Sequence, residues 1–100
     1  MENLKAVLSV RFESDLGAEE LARRCEKYAP LFRDLPGLEQ KYYLADPESG
    51  ALSGFYVFRD EASREAYWNS DLAKGIPERY EVKVETLRIE KYSVSMTLNP

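Results

Sequence analysis

Aromatic side chains are concentrated in one short part of this 100-residue chain, residues 54–68, with the sequence GFYVFRDEASREAYW. Five of the chain's twelve aromatic residues lie there. Aromatic rings can wall a pocket for a flat ligand, a tyrosine hydroxyl can hold or deprotonate a phenol, and a nearby cation can stabilise the resulting phenolate. On this reasoning we predict Tyr56, Tyr67 and Arg88 as catalytic residues.

Four further side chains are candidates for ligand binding. They are Lys41, Tyr43, Phe58 and Trp68. Lys41 and Tyr43 are two residues apart on one predicted strand and therefore share a sheet face. Tyr67 and Trp68 are adjacent on a predicted helix, so at most one of them points fully inward. The seven tyrosines favour a pocket, because a buried hydroxyl needs a partner that Phe or Leu would not need.

The same residues also have a purely structural interpretation. Aromatic residues are favoured in strands for packing alone, and tyrosine is enriched at protein interfaces. Lysine and arginine on strands, such as Lys41 and Arg88, are commonly solvated or paired with glutamate. Cys25 lies on an apolar helix face, which is typical of an inert core thiol. Under this interpretation most of the aromatic segment is core, and only one or two tyrosines line a pocket.

Histidine is absent from the sequence. The chain therefore lacks the commonest general base, the commonest metal ligand and the usual haem ligand. It also lacks the Cys and His clusters of zinc sites, and no spacing of Asp and Glu resembles a calcium loop. We predict a protein that needs no metal, haem or flavin.

Charge and hydropathy limit the classes of partner. The net charge is −4 and the basic residues are scattered, whereas nucleic-acid-binding domains usually carry a basic face. No segment approaches the roughly 18 apolar residues of a membrane span, and the N-terminal residues lack the features of a signal peptide. With a single cysteine as well, the sequence predicts a cytoplasmic protein that binds neither nucleic acid nor membrane.

Four segments alternate between apolar and polar residues in the manner of β-strands. They are residues 4–12, 38–45, 51–58 and 80–92. The residues DPESG between the second and third segments are typical of a turn, so these two strands should form a hairpin. In the last segment the alternation changes phase near Glu85 and Thr86, which predicts a β-bulge.

The first helical segment begins after Gly17 and ends at the pair Pro36-Gly37. One face of it is apolar, and its members are Leu21, Cys25, Tyr28 and Phe32. Pro30 removes one backbone hydrogen bond, so we expect a break near Ala29. A second helix should begin after Asp60, which can cap it, and Gly75 and Pro77 should mark an irregular segment.

The order of these elements is βαββαβ, which predicts one α+β domain over residues 1–100 with the ferredoxin-like fold and an antiparallel sheet. Two helices would cover one sheet face. The other face is too apolar to remain in water, because strand one carries Val7 there and the neighbouring strands place aromatics on both sides. We therefore predict a homodimer through this sheet face and the apolar C-terminal tail, residues 92–98.

Residues 36–68, PGLEQKYYLADPESGALSGFYVFRDEASREAYW, resemble the central block of the YdhR-type monooxygenases, which belong to the dimeric α+β barrel superfamily. The resemblance is carried by the block that begins Pro36-Gly37-Leu38, by Lys41 and Tyr43, by the segment SGFYVF and by the pair Ala66-Tyr67. It implies a homodimer whose two sheets form one barrel, with a pocket between the sheet and the helices of each subunit. The absence of histidine separates the chain from the haem-degrading branch of the superfamily.

Two functions remain open, since a fold does not select a function. The first is a cofactor-independent, monooxygenase-like enzyme for a small aromatic, quinol-type substrate. A deprotonated hydroquinone can pass an electron to dioxygen by itself, so the protein need only bind it, stabilise the anion and exclude water. The second is a non-catalytic module that binds or senses a small ligand. A dimerisation domain without a ligand is a third, weaker alternative.

Overall fold

The computed structural model describes residues 4–99, which form four strands and five helices. The strands are β1 (Ala6–Phe12), β2 (Leu38–Ala45), β3 (Leu52–Phe58) and β4 (Arg88–Ser93). The helices are α1 (Ala18–Tyr28), α2 (Pro30–Arg33), α3 (Glu61–Trp68), α4 (Asp71–Lys74) and α5 (Ile76–Arg79). The strands pair antiparallel in the order β2-β3-β1-β4. The predicted ferredoxin-like α+β fold is confirmed.

The helices cover one face of the sheet, and strand alternation determines which residues they bury. Along β1 the covered face holds Ala6, Leu8, Val10 and Phe12, each at most 3% exposed. Leu8 lies opposite Tyr56 of β3. Tyr56 in turn lies opposite Lys41 of β2. Tyr56 and Lys41 therefore face the helices.

The predicted break in the first helical segment is confirmed. Ala29 lies between α1 and α2, and Pro30 occupies the first turn of α2, where its missing N–H is not needed. The chain then turns at Gly37, whose φ of 79° favours glycine. A Cβ atom at this position would collide with the side chain of Ser63. The turn brings β2 under α2.

The predicted cap of α3 is also confirmed, because Oδ1 of Asp60 accepts a hydrogen bond of 2.8 Å from the backbone N–H of Ser63. The expected irregular segment around Gly75 and Pro77 is wrong in detail. It consists of two one-turn helices, α4 and α5. The side chain of Ser70 caps α4, and Pro77 is tolerated because it lies in the first turn of α5.

The last strand, β4, is shorter than the strand over residues 80–92 that the sequence pattern predicted. Val82 forms only an isolated bridge with Ser14, and a 3-10 turn follows at Val84–Thr86. The hydroxyl of Thr86 donates to the carbonyl of Lys83 and accepts from the N–H of Glu13. This local bonding replaces strand pairing, so the phase change is a turn rather than a β-bulge.

The other sheet face is open in the single chain. Tyr42, Leu44 and Tyr92 are among its residues and are each about half exposed. In the C-terminal tail, Met96 and Leu98 are 80% and 90% exposed. Contact of this face and tail with a second copy stays a prediction. Over residues 4–99, no helix is long and apolar enough to cross a membrane.

Candidate functional site

The centre of the covered sheet face is a tyrosine pair, Tyr56 on β3 and Tyr67 on α3. Their hydroxyl oxygens lie 2.9 Å apart and their ring centroids 5.0 Å apart. Phe58 stacks on both rings, at 6.1 Å from Tyr56 and 5.8 Å from Tyr67. Both tyrosines are 2% exposed, so each hydroxyl supplies the partner that the other needs.

This tyrosine pair stays protonated at neutral pH. Burial, together with the neighbouring Tyr67, raises the pKa of Tyr56 well above its ordinary value. Burial raises the pKa of Tyr67 to about 12. Neither hydroxyl is therefore suited to take a proton from a phenol near pH 7. In this geometry the pair lies in the core directly beneath the amino group of Lys41.

Next to the pair, Lys41 inserts its amino group into an aromatic cage formed by Phe32, Tyr43 and Tyr56. The Nζ atom lies 3.5, 4.5 and 4.7 Å from the three ring centroids, respectively. These distances are within the range of cation–π contacts. Among residues 4–99, Lys41 Nζ has neither an ion pair nor a hydrogen bond, unlike the glutamate-paired lysine that the structural interpretation expected.

Two features of the surroundings act on the charge of Lys41 in opposite directions, since the aromatic rings stabilise the ammonium and burial destabilises it. Burial is the largest cause and lowers the pKa of Lys41 from 10.5 to about 7, with a further contribution from Arg79. Cys25 acts in the opposite direction. Near neutral pH, Lys41 therefore exists as both ammonium and free amine. It is the residue of this site best suited to exchange a proton with a ligand.

Two cavities meet at Lys41 and Tyr43. An outer groove of about 330 Å³ lies between α2 and β2, with Phe32 and Leu38 among its walls. An inner cavity of about 10 Å³ lies beneath the helices, next to Tyr56 and Tyr80. Because Lys41 and Tyr43 line both, these two side chains separate them. The groove is of the size that small ligands use, whereas the cavity has room for roughly one water-sized molecule.

Three residues that sequence reasoning missed as site residues lie here. Phe32 provides the closest ring to Lys41, and its place on the apolar helix face was the only available signal. Arg79 of α5 has its Cζ atom 5.3 Å from the ring centroid of Tyr28 and 5.9 Å from that of Tyr80. Tyr80 lines the inner cavity. Nothing in the local pattern indicated that Arg79 and Tyr80 would approach β2.

Arg88 does not join the other predicted catalytic residues, and this is a correction. In β4 it lies opposite Arg11 of β1, on the open sheet face, whereas Tyr56 and Tyr67 lie on the covered face. Its Nη1 donates to the carbonyls of Glu85 and Leu87. Strand alternation after the 3-10 turn brings Ile89 to the covered face and leaves Arg88 on the other side.

Trp68 also lies away from the cage. It is partly buried and lines a separate pocket of about 280 Å³ with Lys74 and Leu87. Tyr67, its neighbour in sequence, points fully inward. The structure thus brings together Lys41, Tyr43, Tyr56, Phe58 and Tyr67. It separates Arg88 and Trp68 from them.

A metal ion has no evident place at this site. Within residues 4–99, no group of three or more His, Cys, Asp or Glu side chains could hold one. Cys25 lines the inner cavity, but burial raises the pKa of its thiol and keeps it protonated.

Several solved structures have the same fold. The NE2512 protein of unknown function from Nitrosomonas europaea has a TM-score of 0.76 at 24% identity, covering 100% of this chain and 98% of its own. SnoaB, a cofactor-independent oxygenase from Streptomyces nogalater, has a TM-score of 0.76 at 13% sequence identity, and the match covers 97% of this chain and 99% of SnoaB. The ActVA-Orf6 monooxygenase of Streptomyces coelicolor, solved in complex with Nanaomycin D, has a TM-score of 0.72 at 15% sequence identity. The match covers 97% of this chain and 93% of that protein.

At these identities the similarity shows the fold alone. No curated protein matches the sequence. The family resemblance read from residues 36–68 extends over nearly all of the chain. The sequence model of the family described as "Putative mono-oxygenase ydhR" matches residues 7–99, and the chain belongs to that family.

Proposed function

We propose that the protein is a cofactor-independent, monooxygenase-like enzyme that oxidises a small aromatic, quinol-type substrate in the outer groove. The observation that carries the proposal is the amino group of Lys41, held against three aromatic rings with a pKa of about 7. A flat phenolic ring in the groove would contact Phe32 and Tyr43 and bring its hydroxyl to Lys41. Family membership supports the type of chemistry.

Lys41 takes the role of base and cation in this mechanism. Its neutral amine accepts the proton of the phenol, and the ammonium that forms stabilises the phenolate. The phenolate passes one electron to dioxygen, giving a substrate radical and superoxide. These combine at a ring or benzylic carbon that also bears a hydrogen, and the peroxide anion that forms takes the proton back from the ammonium of Lys41. The hydroperoxide then loses that hydrogen together with its terminal OH as water, which leaves a carbonyl at the oxidised carbon. One oxygen atom of dioxygen enters the product and the other leaves as water.

The remaining predicted residues have different roles in this proposal. Tyr43 is an aromatic wall of the groove, whereas Phe58 is fully buried and packs against Tyr56 and Tyr67. Tyr56 and Tyr67 support Lys41 from the core side and stay protonated. Arg88, on the opposite sheet face, has no part in the chemistry. The cation that was expected from Arg88 is supplied by Lys41.

A second candidate function is a non-catalytic module that binds or senses a small aromatic ligand. The observation that favours it is that Lys41 already fills the aromatic cage. A ligand could displace the lysine, and that movement could serve as a signal without any reaction. Binding without oxygen consumption would distinguish this function from oxidation.

We also infer that the protein acts as a homodimer. The open sheet face exposes apolar side chains, including Tyr42 and Leu44, and in the tail Met96 and Leu98 have almost no cover. Packing of two such faces, sheet to sheet, would remove them from water. Light scattering should give the mass of a dimer, and a monomer at all concentrations would contradict this inference.

The test of the proposed function is oxygen uptake by the purified protein with a panel of hydroquinones and no added cofactor. We expect Lys41→Met to reduce the rate by about 100-fold, which is the usual contribution of a general base. Lys91→Met is the matched control, because Lys91 is exposed, pairs with Glu65 at 2.9 Å and lies on β4, at the sheet edge opposite β2. Equal rates for the two variants would contradict the role of Lys41. Ligand binding without uptake would favour the binding module.

A further inference from the structure

Lys41 differs from two other lysines beside the sheet in the surroundings of its amino group. Lys5 and Lys91 each pair with a glutamate, at 2.8 and 2.9 Å. The Nζ atom of Lys41 instead lies 3.5 to 4.7 Å from the centroids of three aromatic rings. Because no carboxylate within the described part of the chain binds this nitrogen, its lone pair is free whenever the amine is neutral.

The amino group of Lys41 borders the outer groove. The side chain is partly exposed and lines the groove of about 330 Å³ together with Phe32, Leu38 and Tyr43. These three walls are apolar or aromatic, and the volume suits a molecule with one aromatic ring. A ring lying against Phe32 or Tyr43 would bring a carbonyl group on it to the nitrogen. A lysine amine in apolar surroundings is a nucleophile for carbonyl compounds, a chemistry that differs from the proton transfer of the proposed function.

We propose that Lys41 is a covalent site at which a small aromatic aldehyde forms a reversible imine within the outer groove. The neutral amine adds to the carbonyl carbon, so a C–N bond forms and the electron pair of the carbonyl moves to oxygen. A proton then moves from nitrogen to that oxygen, which gives a carbinolamine. The hydroxyl group leaves with the second nitrogen-bound hydrogen as water, and a C=N bond remains. Amine and aldehyde thus give imine and water, and the step needs no oxidant or reductant.

The groups that face Lys41 from the covering elements leave part of it as neutral amine near pH 7. Burial is the largest cause of its lowered pKa, Arg79 of α5 acts in the same direction, and Cys25 of α1 acts against both. Tyr43 and Tyr56, beside the amino group, have raised pKa values because of burial, so they carry no charge at this pH. An imine keeps this partly buried nitrogen uncharged, whereas an ammonium has to be desolvated there.

The charged residues of the groove do not hold Lys41 as an ammonium. Arg33 and Glu39 line the groove, Arg33 is exposed on α2, and Glu39 is bound by Lys5 at 2.8 Å. Burial raises the pKa of Tyr80, which lines the inner cavity with Lys41, so this side chain is also uncharged near pH 7. The carboxylate that lines the described groove is therefore already paired, and the nitrogen of Lys41 stays available to an aldehyde.

Benzaldehyde with sodium cyanoborohydride tests the site, because hydride converts an imine into a stable benzylamine that mass spectrometry locates by peptide. The intact protein is treated near pH 7 under argon, without hydroquinone. At this pH about half of Lys41 is neutral, against roughly one in a thousand of an ordinary lysine. We expect Lys41 to carry at least about tenfold more label than Lys91 in the same sample. The α-amino group of the chain also reacts near neutral pH, and peptide mapping separates it.

The folded site should be required for this preference. Labelling at position 41 should persist in Lys91→Met, fall several-fold from pH 7 to pH 6 as Lys41 becomes protonated, and lose its preference in urea. Label spread evenly over the lysines, or a preference that survives unfolding, would overturn the site.

Oxygen uptake with hydroquinones separates this inference from the proposed function. Selective label at Lys41 without any uptake would leave the imine site standing and the oxidation not. Uptake that depends on Lys41, in a protein that benzaldehyde does not label there, would support the oxidation and overturn the imine site.

Discussion

Tyr56 and Tyr80 lie under the same helices, at 2% and 4% exposure, but their hydroxyls have different surroundings. That of Tyr56 is paired with Tyr67 at 2.9 Å. That of Tyr80 has no partner in the described chain, and neither has the amino group of nearby Lys41. The hydroxyls of Tyr56 and Tyr67 satisfy each other, whereas the hydroxyl of Tyr80 is left without a protein partner among the described residues. The difference shows that burial alone does not give a tyrosine a hydrogen-bond partner, because the partner depends on which elements meet.

The largest expected effect comes from changing the hydrogen-bonded pair of Tyr56 and Tyr67. Tyr56→Asp would place a carboxyl group in the fully buried tyrosine pair, at a cost of several kcal/mol, which is comparable to the whole stability of a small domain. We expect loss of the folded state by circular dichroism. Leu31→Asp, at a half-exposed position of α2 and away from the open sheet face, is the control and should stay folded. A folded Tyr56→Asp protein would show that the pair is not structural.

The lowered pKa of Lys41 predicts how the free energy of unfolding depends on pH. The pKa of Lys41 is about 7 in the folded protein and 10.5 ordinarily, so between these values the unfolded chain binds a proton that the folded one lacks. Stability should therefore rise from pH 7 to 8.5, by at most about 1.4 kcal/mol per unit and less after solvent screening. Urea unfolding of Lys41→Met should lack this slope, and Lys5→Met should retain it. A slope that is the same in both variants would contradict the burial of Lys41.

A smaller effect is expected from removing one hydroxyl of the tyrosine pair. Tyr67→Phe leaves the hydroxyl of Tyr56 buried and unpaired, which should lower the free energy of unfolding by about 1–3 kcal/mol. Tyr28→Phe, at a partly buried position of α1, should change it by less than about 0.5 kcal/mol. Denaturant titration measures both. If the two variants are equally stable, the hydrogen bond between Tyr56 and Tyr67 contributes nothing measurable.

The smallest effect should come from Tyr80→Phe. The hydroxyl it removes has no partner among the described residues, so the free energy of unfolding should stay the same or rise by up to about 1 kcal/mol. Denaturant titration of this variant beside Tyr67→Phe is a direct test of the comparison. A loss as large as that of Tyr67→Phe would mean that the hydroxyl of Tyr80 already has a hydrogen-bond partner, so that the two hydroxyls do not differ.

Much of the fold could be predicted from local pattern. The alternation of β1 to β3, the break at Ala29 and the cap at Asp60 depend on interactions within a few residues, and the structure agrees with them. The last strand was predicted too long, because the hydrogen bonds of Thr86 to Lys83 and Glu13 form a 3-10 turn there. One of these partners is 73 residues away in sequence, so the pattern carries no trace of it.

The candidate site was predicted only in part. Lys41, Tyr43 and Tyr56 were placed on shared strand faces, and they do lie together. Arg88 was expected with them and lies on the opposite face. The proposed function also gives the base role to Lys41, whose pKa is lowered to about 7, rather than to the tyrosines, whose pKa values burial raises. Burial depends on the packing of α2 and α5 over the sheet, which no single segment encodes.

By itself, the sequence determined the order of elements and which side chains share a strand face or helix face, because both follow from the two-residue and 3.6-residue repeats of the backbone. Family membership follows from the sequence as well. Only the tertiary structure decided which polar groups find partners. Tyr56 meets Tyr67 through an α3–β3 contact, whereas Lys41 and Tyr80 come from β2 and the end of α5 and meet at a cavity. Pairing between such distant segments depends on how the layers pack, and that packing created the site.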